Sequence, residues 1–207
     1  MPKSIPEKIL ARITGGGRCA VFTPKDFLDL ASHETVRQAL ARMVTAGTLR
    51  RLMRGIYDCP AFSTLLNAPA SPDPDAIAQA IAREHGWTIM PAGAAALNLL
   101  GLSTQVPAQW QYHSDGPSRT YAWEGGTLQF KHRANKETSA LSPRTALLVQ
   151  GLKALGQAAT DAAVLAKLQA GFTAGELKRA TRESRYVTGW VYEVIKTLAA
   201  ETGANHA

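Results

Sequence analysis

The sequence predicts an α+β fold: an N-terminal winged helix-turn-helix, then a mixed α/β domain that ends in helices. Two observations support this prediction. Three helical patterns and an arginine-rich hairpin pattern fill residues 1–60. Segment 63–75 then contains three prolines, which favour a boundary between domains. We therefore predict a first domain over 1–62, a linker over 63–75 and a C-terminal domain over 76–207.

Two short helices open the first domain. Apolar residues recur every four positions near the N-terminus, which predicts a helix over 4–14: Ile5, Ile9 and Ile13. Thr23 and Pro24 are typical of an N-cap and a first helical position, so a second helix begins there. We expect this short helix to carry Phe27 and Leu28 into the core.

A third helix follows, with Ser32 as its N-cap and Gly47 after its end. One side is apolar and forms the predicted buried stripe: Val36, Leu40, Met43 and Val44. A helix turns about 100° per residue, which places a mostly polar set on the opposite side. This exposed set comprises Glu34, Thr35, Gln38, Ala41, Arg42 and Thr45.

A β-hairpin with three arginines comes next. Thr48–Leu52 and Ile56–Asp58 are the predicted strands, and Gly55 supplies the positive φ of the turn after Arg54. Neighbouring residues of a strand point to opposite faces, so Arg50 and Arg51 cannot face the same partner. Arg51 and Arg54 are therefore the better phosphate-binding candidates, although charge that merely protects an edge strand is an alternative interpretation.

The distribution of charge indicates an acidic partner. The chain carries a formal net charge of +7. Residues 1–60 hold ten Lys/Arg against five Asp/Glu, a net charge of +5, whereas 61–140 carry −1 and 141–207 carry +3. Nucleic acid is the commonest partner of such a basic segment.

These observations together predict a double-stranded DNA site on the third helix and the hairpin. Gln38 suits an adenine edge, and Arg42 suits guanine or a phosphate. The alternative is an ordinary solvated helix face. The predicted DNA-binding residues are Thr35, Gln38, Arg42, Thr45, Arg50, Arg51, Arg54 and Gly55.

The second domain begins with a helix that carries Ile77 and Ile81 and ends before Gly86. A short strand at Trp87–Met90, a helix over 92–100 and two or three strands within 109–132 follow. The predicted C-terminal helices cover 143–155, 161–169, 174–184 and 188–201.

One of these helices carries a second basic cluster, after a capping box formed by Thr173 and Glu176. Its members are Lys178, Arg179, Arg182 and Arg185. Three interpretations remain open at this stage: a second nucleic-acid surface, a surface for a protein partner, or a solvated helix face.

The sequence gives little support for an enzyme. Asp115 followed by Gln129 and Lys131 is weakly similar to metal-dependent nucleases, but neutral Gln129 stands where a second carboxylate is needed. His113 and His132 alone do not make a metal site. We predict no catalytic residues, no cofactor and no metal, with a nuclease-like protein as an alternative.

No apolar run approaches the roughly 18 residues of a membrane span, and the N-terminus lacks the apolar core of a signal peptide. We therefore expect a cytoplasmic protein without a membrane partner.

Several segments resemble those of a known family. They are 21–30 (VFTPKDFLDL), 39–58 (ALARMVTAGTLRRLMRGIYD), 98–107 (NLLGLSTQVP), 115–119 (DGPSR) and 128–132 (LQFKH). The chain is similar, over about residues 3–150, to AbiEi-family antitoxins of type IV toxin–antitoxin systems. That family comprises predicted transcriptional regulators of phage-defence loci.

The resemblance implies a winged helix that binds operator repeats and represses its own operon, with Arg50, Arg51, Arg54 and Gly55 in the wing. It also implies a C-terminal domain that antagonises a nucleotidyltransferase toxin, without identifying the residues that do so. A stand-alone DNA-binding regulator is the main alternative.

Overall fold

The computed structural model describes residues 3–15, 21–65, 67–133 and 141–204. The predicted α+β class is confirmed: N-terminal helices precede a small hairpin, and a mixed sheet is followed by helices. The chain divides into two compact units, which are Met1–Trp87 with Ala122–Gly126, and Thr88–Tyr121 with Thr127–Ala207. No helix of the described residues combines the length and apolar character needed to cross a membrane.

The first unit opens with helix α1, Ile5–Gly15, which buries Ile9 and Ile13. A four-residue 3-10 helix, Pro24–Phe27, takes the place of the predicted second helix. Because this segment makes a single turn, Phe27 reaches the core but Leu28 remains 45% exposed. The prediction that Leu28 is buried was therefore wrong.

Helix α2, His33–Thr45, begins as predicted, with the Ser32 hydroxyl accepting the Thr35 N–H at 3.3 Å. Its apolar stripe lies in the core of the first unit, where Val36 and Leu40 are fully buried. Val44 is only partly buried against this core. The spacing of these residues in the sequence therefore fixed which side of α2 faces inward.

The hairpin consists of β1, Arg50–Met53, and β2, Ile56–Asp58, paired antiparallel. Gly55 has a φ of 80°, the left-handed conformation that glycine adopts without a steric penalty. Phe22 forms an isolated antiparallel bridge with Tyr57 and so adds a third extended segment beside β2. This order of helices, bridge and hairpin is that of a winged helix.

Segment 63–75, which we predicted to be a linker, contains regular secondary structure. Two short strands, β3 (Phe62–Ser63) and β4 (Ala68–Pro69), form a small hairpin, and helix α3 follows at Pro74–His85. The compact units divide after Trp87, so α3 belongs with the winged helix rather than with the second domain predicted from residue 76.

Ion pairs explain where that division falls. Arg83 of α3 approaches Asp26 at 3.3 Å and donates a hydrogen bond to the Val21 carbonyl at 3.1 Å. Lys25 donates to the Glu84 carbonyl at 2.5 Å. These three contacts tie the last turn of α3 to the 3-10 segment and to Val21 just before it.

Most of a four-stranded mixed sheet belongs to the second unit, and its strand order is β5-β6-β8-β7. Its strands are β5 (Ile89–Ala92), β6 (Gln109–Ser114), β7 (Arg119–Trp123) and β8 (Gly126–His132). Strand β6 pairs antiparallel with β5 and parallel with β8. The short helix α4, Ala94–Leu99, connects β5 to the rest of the sheet.

Four helices complete the described residues: α5 (Pro143–Leu155), α6 (Ala162–Gly171), α7 (Ala174–Glu183) and α8 (Gly189–Ala204). A 3-10 turn, Ser184–Tyr186, extends α7. Leu148, Leu177 and Ile195 are fully buried in their common core. The four predicted C-terminal helices are therefore present, with ends that differ by up to three residues.

Candidate nucleic-acid interface

The polar face of α2 is exposed, as the helical spacing predicted. Thr35, Gln38, Arg42 and Thr45 all lie on the surface. The stripe opposite to them is buried, so the helix cannot rotate without exposing its apolar residues. This arrangement leaves the polar face available to a partner.

Hydrogen bonds within α2 already engage part of this face. The Glu34 carboxylate accepts from Gln38 Nε2 at 3.2 Å and from Arg37 at 3.3 Å. The Thr35 hydroxyl lies 2.9 Å from that of Ser32, and the Thr45 hydroxyl donates to the Ala41 carbonyl at 3.1 Å. Gln38 must therefore release Glu34 before its amide can pair with a base edge.

Arg50 does not face outward as a free cation. Its guanidinium donates to both Asp58 carboxylate oxygens, from Nε at 3.0 Å and from a terminal nitrogen at 2.6 Å, and it also reaches the Ala70 carbonyl at 3.0 Å. Asp58 is only 2% exposed and lies directly across the hairpin from Arg50. A buried carboxylate requires a counter-charge, so Arg50 serves the fold.

Arg51 and Arg54 behave differently. Both are exposed, and within the described part of the chain neither makes a hydrogen bond or an ion pair. Arg51 shares its strand with Arg50 but points to the other face, as alternation along a strand requires. Gly55, beside Arg54, forms the turn and has no side chain to obstruct an approaching backbone.

A groove of about 570 Å³ within the first unit is lined by residues of both α2 and the hairpin. Gln38 lines it from the helix, and Arg51 and Arg54 line it from the hairpin. The groove also includes Arg37 and His33, which the sequence interpretation left out. Arg37 lies one turn before Ala41, and His33 lies one turn before Arg37, so helical spacing from the exposed face was the signal that could have identified them.

The second basic cluster also lies on the surface. Lys178, Arg179, Arg182 and Arg185 are all exposed on α7 and the 3-10 turn after it. None of the four makes a hydrogen bond or an ion pair with another described residue. The sequence therefore placed this cluster correctly on the outside of the second unit.

The two acidic residues of α7 have their hydrogen bonds and ion pairs outside that cluster. Glu176 accepts the Thr173 N–H at 2.8 Å in a capping box and forms an ion pair with Arg144 at 2.9 Å, and these contacts lower its pKa. Glu183 accepts the Ser142 N–H at 2.9 Å and the Ser142 hydroxyl at 2.7 Å. Partial burial opposes ionisation of Glu183, but hydrogen bonds from Thr145 and Ser142 outweigh it and lower the pKa.

The residues of the nuclease alternative lie at one end of the sheet. The Asp115 carboxylate accepts the Thr88 N–H at 2.9 Å, and the Gln129 side chain accepts from Gln111 at 3.3 Å. Lys131 lies opposite His113 in the β6–β8 pairing. Over the described ranges, no three His, Cys, Asp or Glu side chains gather into a group suited to a metal ion.

Comparisons with known proteins give a family match and a similarity to solved structures. No curated protein matches the chain. The crystal structure of the RV2827C protein from Mycobacterium tuberculosis is similar at 18% identity and a TM-score of 0.42, covering 98% of this chain and 79% of the other. Residues 8–179 match a family of unknown function, DUF6088. Because this match spans most of the chain, the protein belongs to the DUF6088 family.

Proposed function

We propose that the protein is a DNA-binding transcriptional regulator that contacts duplex DNA through α2 and the hairpin of the first unit. One observation carries the proposal: Arg51 and Arg54 lie outward on the hairpin and line the same groove as Gln38 of α2. A winged helix places its recognition helix in the major groove and its hairpin against the sugar–phosphate backbone. The exposed residues suit both roles.

The proposed DNA-binding residues have two roles: some supply affinity for DNA, and others supply sequence preference. Arg51 and Arg54 suit phosphates, whose contacts hold the protein on DNA but carry little sequence information. Gln38 and Arg42 have side chains that can read base edges. Arg50 is absent from this set because its charge is already paired with Asp58.

Further parts of the proposal rest on the resemblance of segments such as 39–58 and 98–107 to AbiEi-family antitoxins. We propose that the protein represses its own operon at operator repeats, that it acts in the cytoplasm, and that its second unit antagonises a nucleotidyltransferase toxin in phage defence. Rescue of cells from a co-expressed toxin of that class tests the last point. Growth arrest that persists at matched expression would reject it.

The DNA-binding proposal is tested by changing the hairpin and the helix separately. The Arg51→Ala and Arg54→Ala variants should each weaken binding to all duplex sequences by about 1–3 kcal/mol. Each should also reduce the slope of log affinity against log salt by roughly 0.9 per lost phosphate contact. Lys8→Ala is the matched control, since it removes an exposed cation of the same unit from α1.

The Gln38→Ala variant should instead change which sequence is preferred, as measured by competition among operator variants. If the arginine variants lose no more affinity than Lys8→Ala, the groove is not the DNA site. Unchanged preference after Gln38→Ala would mean that α2 does not read bases. Cleavage of DNA on addition of magnesium or manganese would favour the nuclease alternative.

A further inference from the structure

One surface of the second unit, which we call the basic face, combines four exposed cations with an exposed tyrosine, and no contact within the described residues accounts for this combination. We define it as Lys178, Arg179, Arg182, Arg185 and Tyr186, on α7 and the 3-10 turn after it. At about 100° per residue, these five side chains fall within an arc of about 120° on one side of the helix. The buried residues Leu177 and Ala180 lie on the other side.

The two acids of α7 form no ion pair with this face among the described residues. Glu176 is held by Thr173 and Arg144, and Glu183 is held by Ser142 at the start of α5. Arg179 lies close enough to Glu183 to help lower its pKa, yet it forms no ion pair with it among the described residues. Four cations therefore face outward together.

Tyr186 gives the face a second property. Its side chain is 99% exposed, although tyrosine is usually at least partly buried in a folded domain. It follows Arg185 directly and lies one helical turn beyond Arg182. An aromatic ring that is fully open to solvent beside several cations is the arrangement that stacks an unpaired base while cations hold the backbone.

We propose that this basic face binds single-stranded nucleic acid, with Tyr186 stacking on a base and the four cations contacting phosphates. From residue 178 to residue 186 the face extends roughly 10–12 Å along the helix. The bases of a duplex are already stacked on one another, so Tyr186 gains nothing from duplex DNA. This site is separate from the α2–hairpin groove and does not depend on the function proposed for it.

The test measures binding of fluorescent oligothymidylate and oligouridylate of about 12 nucleotides to the full chain by anisotropy, across a range of salt. A variant with glutamine at Lys178, Arg179, Arg182 and Arg185 should reduce the salt slope by roughly 0.7 per lost contact. The matched control places glutamine at Arg119, Lys153, Lys167 and Lys196, which removes the same charge from elsewhere in the second unit. The control should change affinity only through screened, long-range electrostatics.

Tyr186→Ala should weaken single-strand binding on the order of 10-fold without changing the salt slope, whereas Tyr186→Trp should restore it. All measurements are repeated with Arg51→Ala and Arg54→Ala present, to remove the contribution of the hairpin. Equal binding of both oligonucleotides supports a site that ignores the 2′-hydroxyl. A preference for one supports a site specific for RNA or DNA if oligodeoxyuridylate, which lacks the C5-methyl group, binds like oligothymidylate.

Three results would overturn the proposal. If the matched control, with four cations removed elsewhere in the second unit, loses as much single-strand affinity, net charge alone attracts the strand. Duplex binding equal to single-strand binding, with no effect of Tyr186→Ala, would make the face a duplex backbone site. Competition by polyglutamate as strong as that by the oligonucleotides would indicate an acidic protein as the partner.

Discussion

The hairpin and helix α7 both carry clustered arginines, but the two regions use them differently. In the hairpin, Arg50 turns inward to the buried Asp58, and only Arg51 and Arg54 remain outside. In α7, by contrast, the acids are the residues that turn away to cap helices, and the cations stay outside. With Arg185 of the 3-10 turn included, each region has three arginines: the hairpin pairs one and exposes two, whereas the basic face exposes all three.

The difference shows that the position of the carboxylate decides what an arginine does. Asp58 is buried, and a buried charge without a partner costs several kcal/mol. Glu176 accepts an N–H at the start of α7, and Glu183, at the end of α7, accepts the Ser142 N–H at the start of α5. Neither acid forms an ion pair with a cation of the basic face among the described residues. The following predictions test this contrast.

The largest effect is expected for Arg50→Ala. It leaves the Asp58 carboxylate buried without its partner, so the free energy of unfolding should fall by about 2–4 kcal/mol, less than for a fully buried pair because Arg50 is partly solvated. Urea denaturation measures this loss. Arg51→Ala, on the next position of the same strand, is the control and should change stability by under about 0.5 kcal/mol. Equal losses in both variants would contradict the assigned roles.

The second-largest loss of stability is expected when the capping box of α7 is removed. Thr173→Ala removes the hydroxyl that accepts the Glu176 N–H at 3.2 Å, and it should cost about 1 kcal/mol. Hydrogen exchange in the first turn of α7 should rise in this variant. The Thr173→Ser variant keeps the hydroxyl and serves as the control, so faster exchange in the serine variant would argue against capping.

Glu183 makes the stability of α5 depend on pH. Its pKa is lower in the folded chain than in the unfolded chain, so its contribution is complete above the ordinary glutamate pKa and is lost as the pH falls through the lowered value. At pH 7, Glu183→Gln should cost about 1 kcal/mol, the usual strength of a carboxylate at a helix N-terminus. The difference from the parent protein should shrink below about pH 4.5. A difference that stays constant from pH 7 to pH 3 would show that ionised Glu183 does not stabilise α5.

The smallest effect on stability is expected on the basic face. Lys178→Ala and Arg182→Ala should each change the free energy of unfolding by under about 0.5 kcal/mol, because neither side chain has a partner in the described residues. Thermal unfolding of both variants measures this change. A loss near that of Arg50→Ala would reveal a structural role and would count against a binding surface.

Much of the local structure was predictable because it depends on near neighbours in the sequence. The spacing of Val36, Leu40 and Met43 identified the buried side of α2, and therefore the exposed position of Gln38 and Arg42. The glycine of the hairpin turn and the capping box of α7 were equally local signals. The exposed position of Arg51 followed from its alternation with Arg50.

Other features depended on residues far apart in the chain. The helix pattern around Ile77 predicted α3, but only its contacts through Arg83 and Lys25 placed it with the winged helix. Likewise, composition counted Arg50 among the free cations, while its pairing with Asp58 was decided when the hairpin folded and buried the carboxylate. Periodicity records which side of an element is apolar, whereas burial of a charge and choice of its partner are set by tertiary packing.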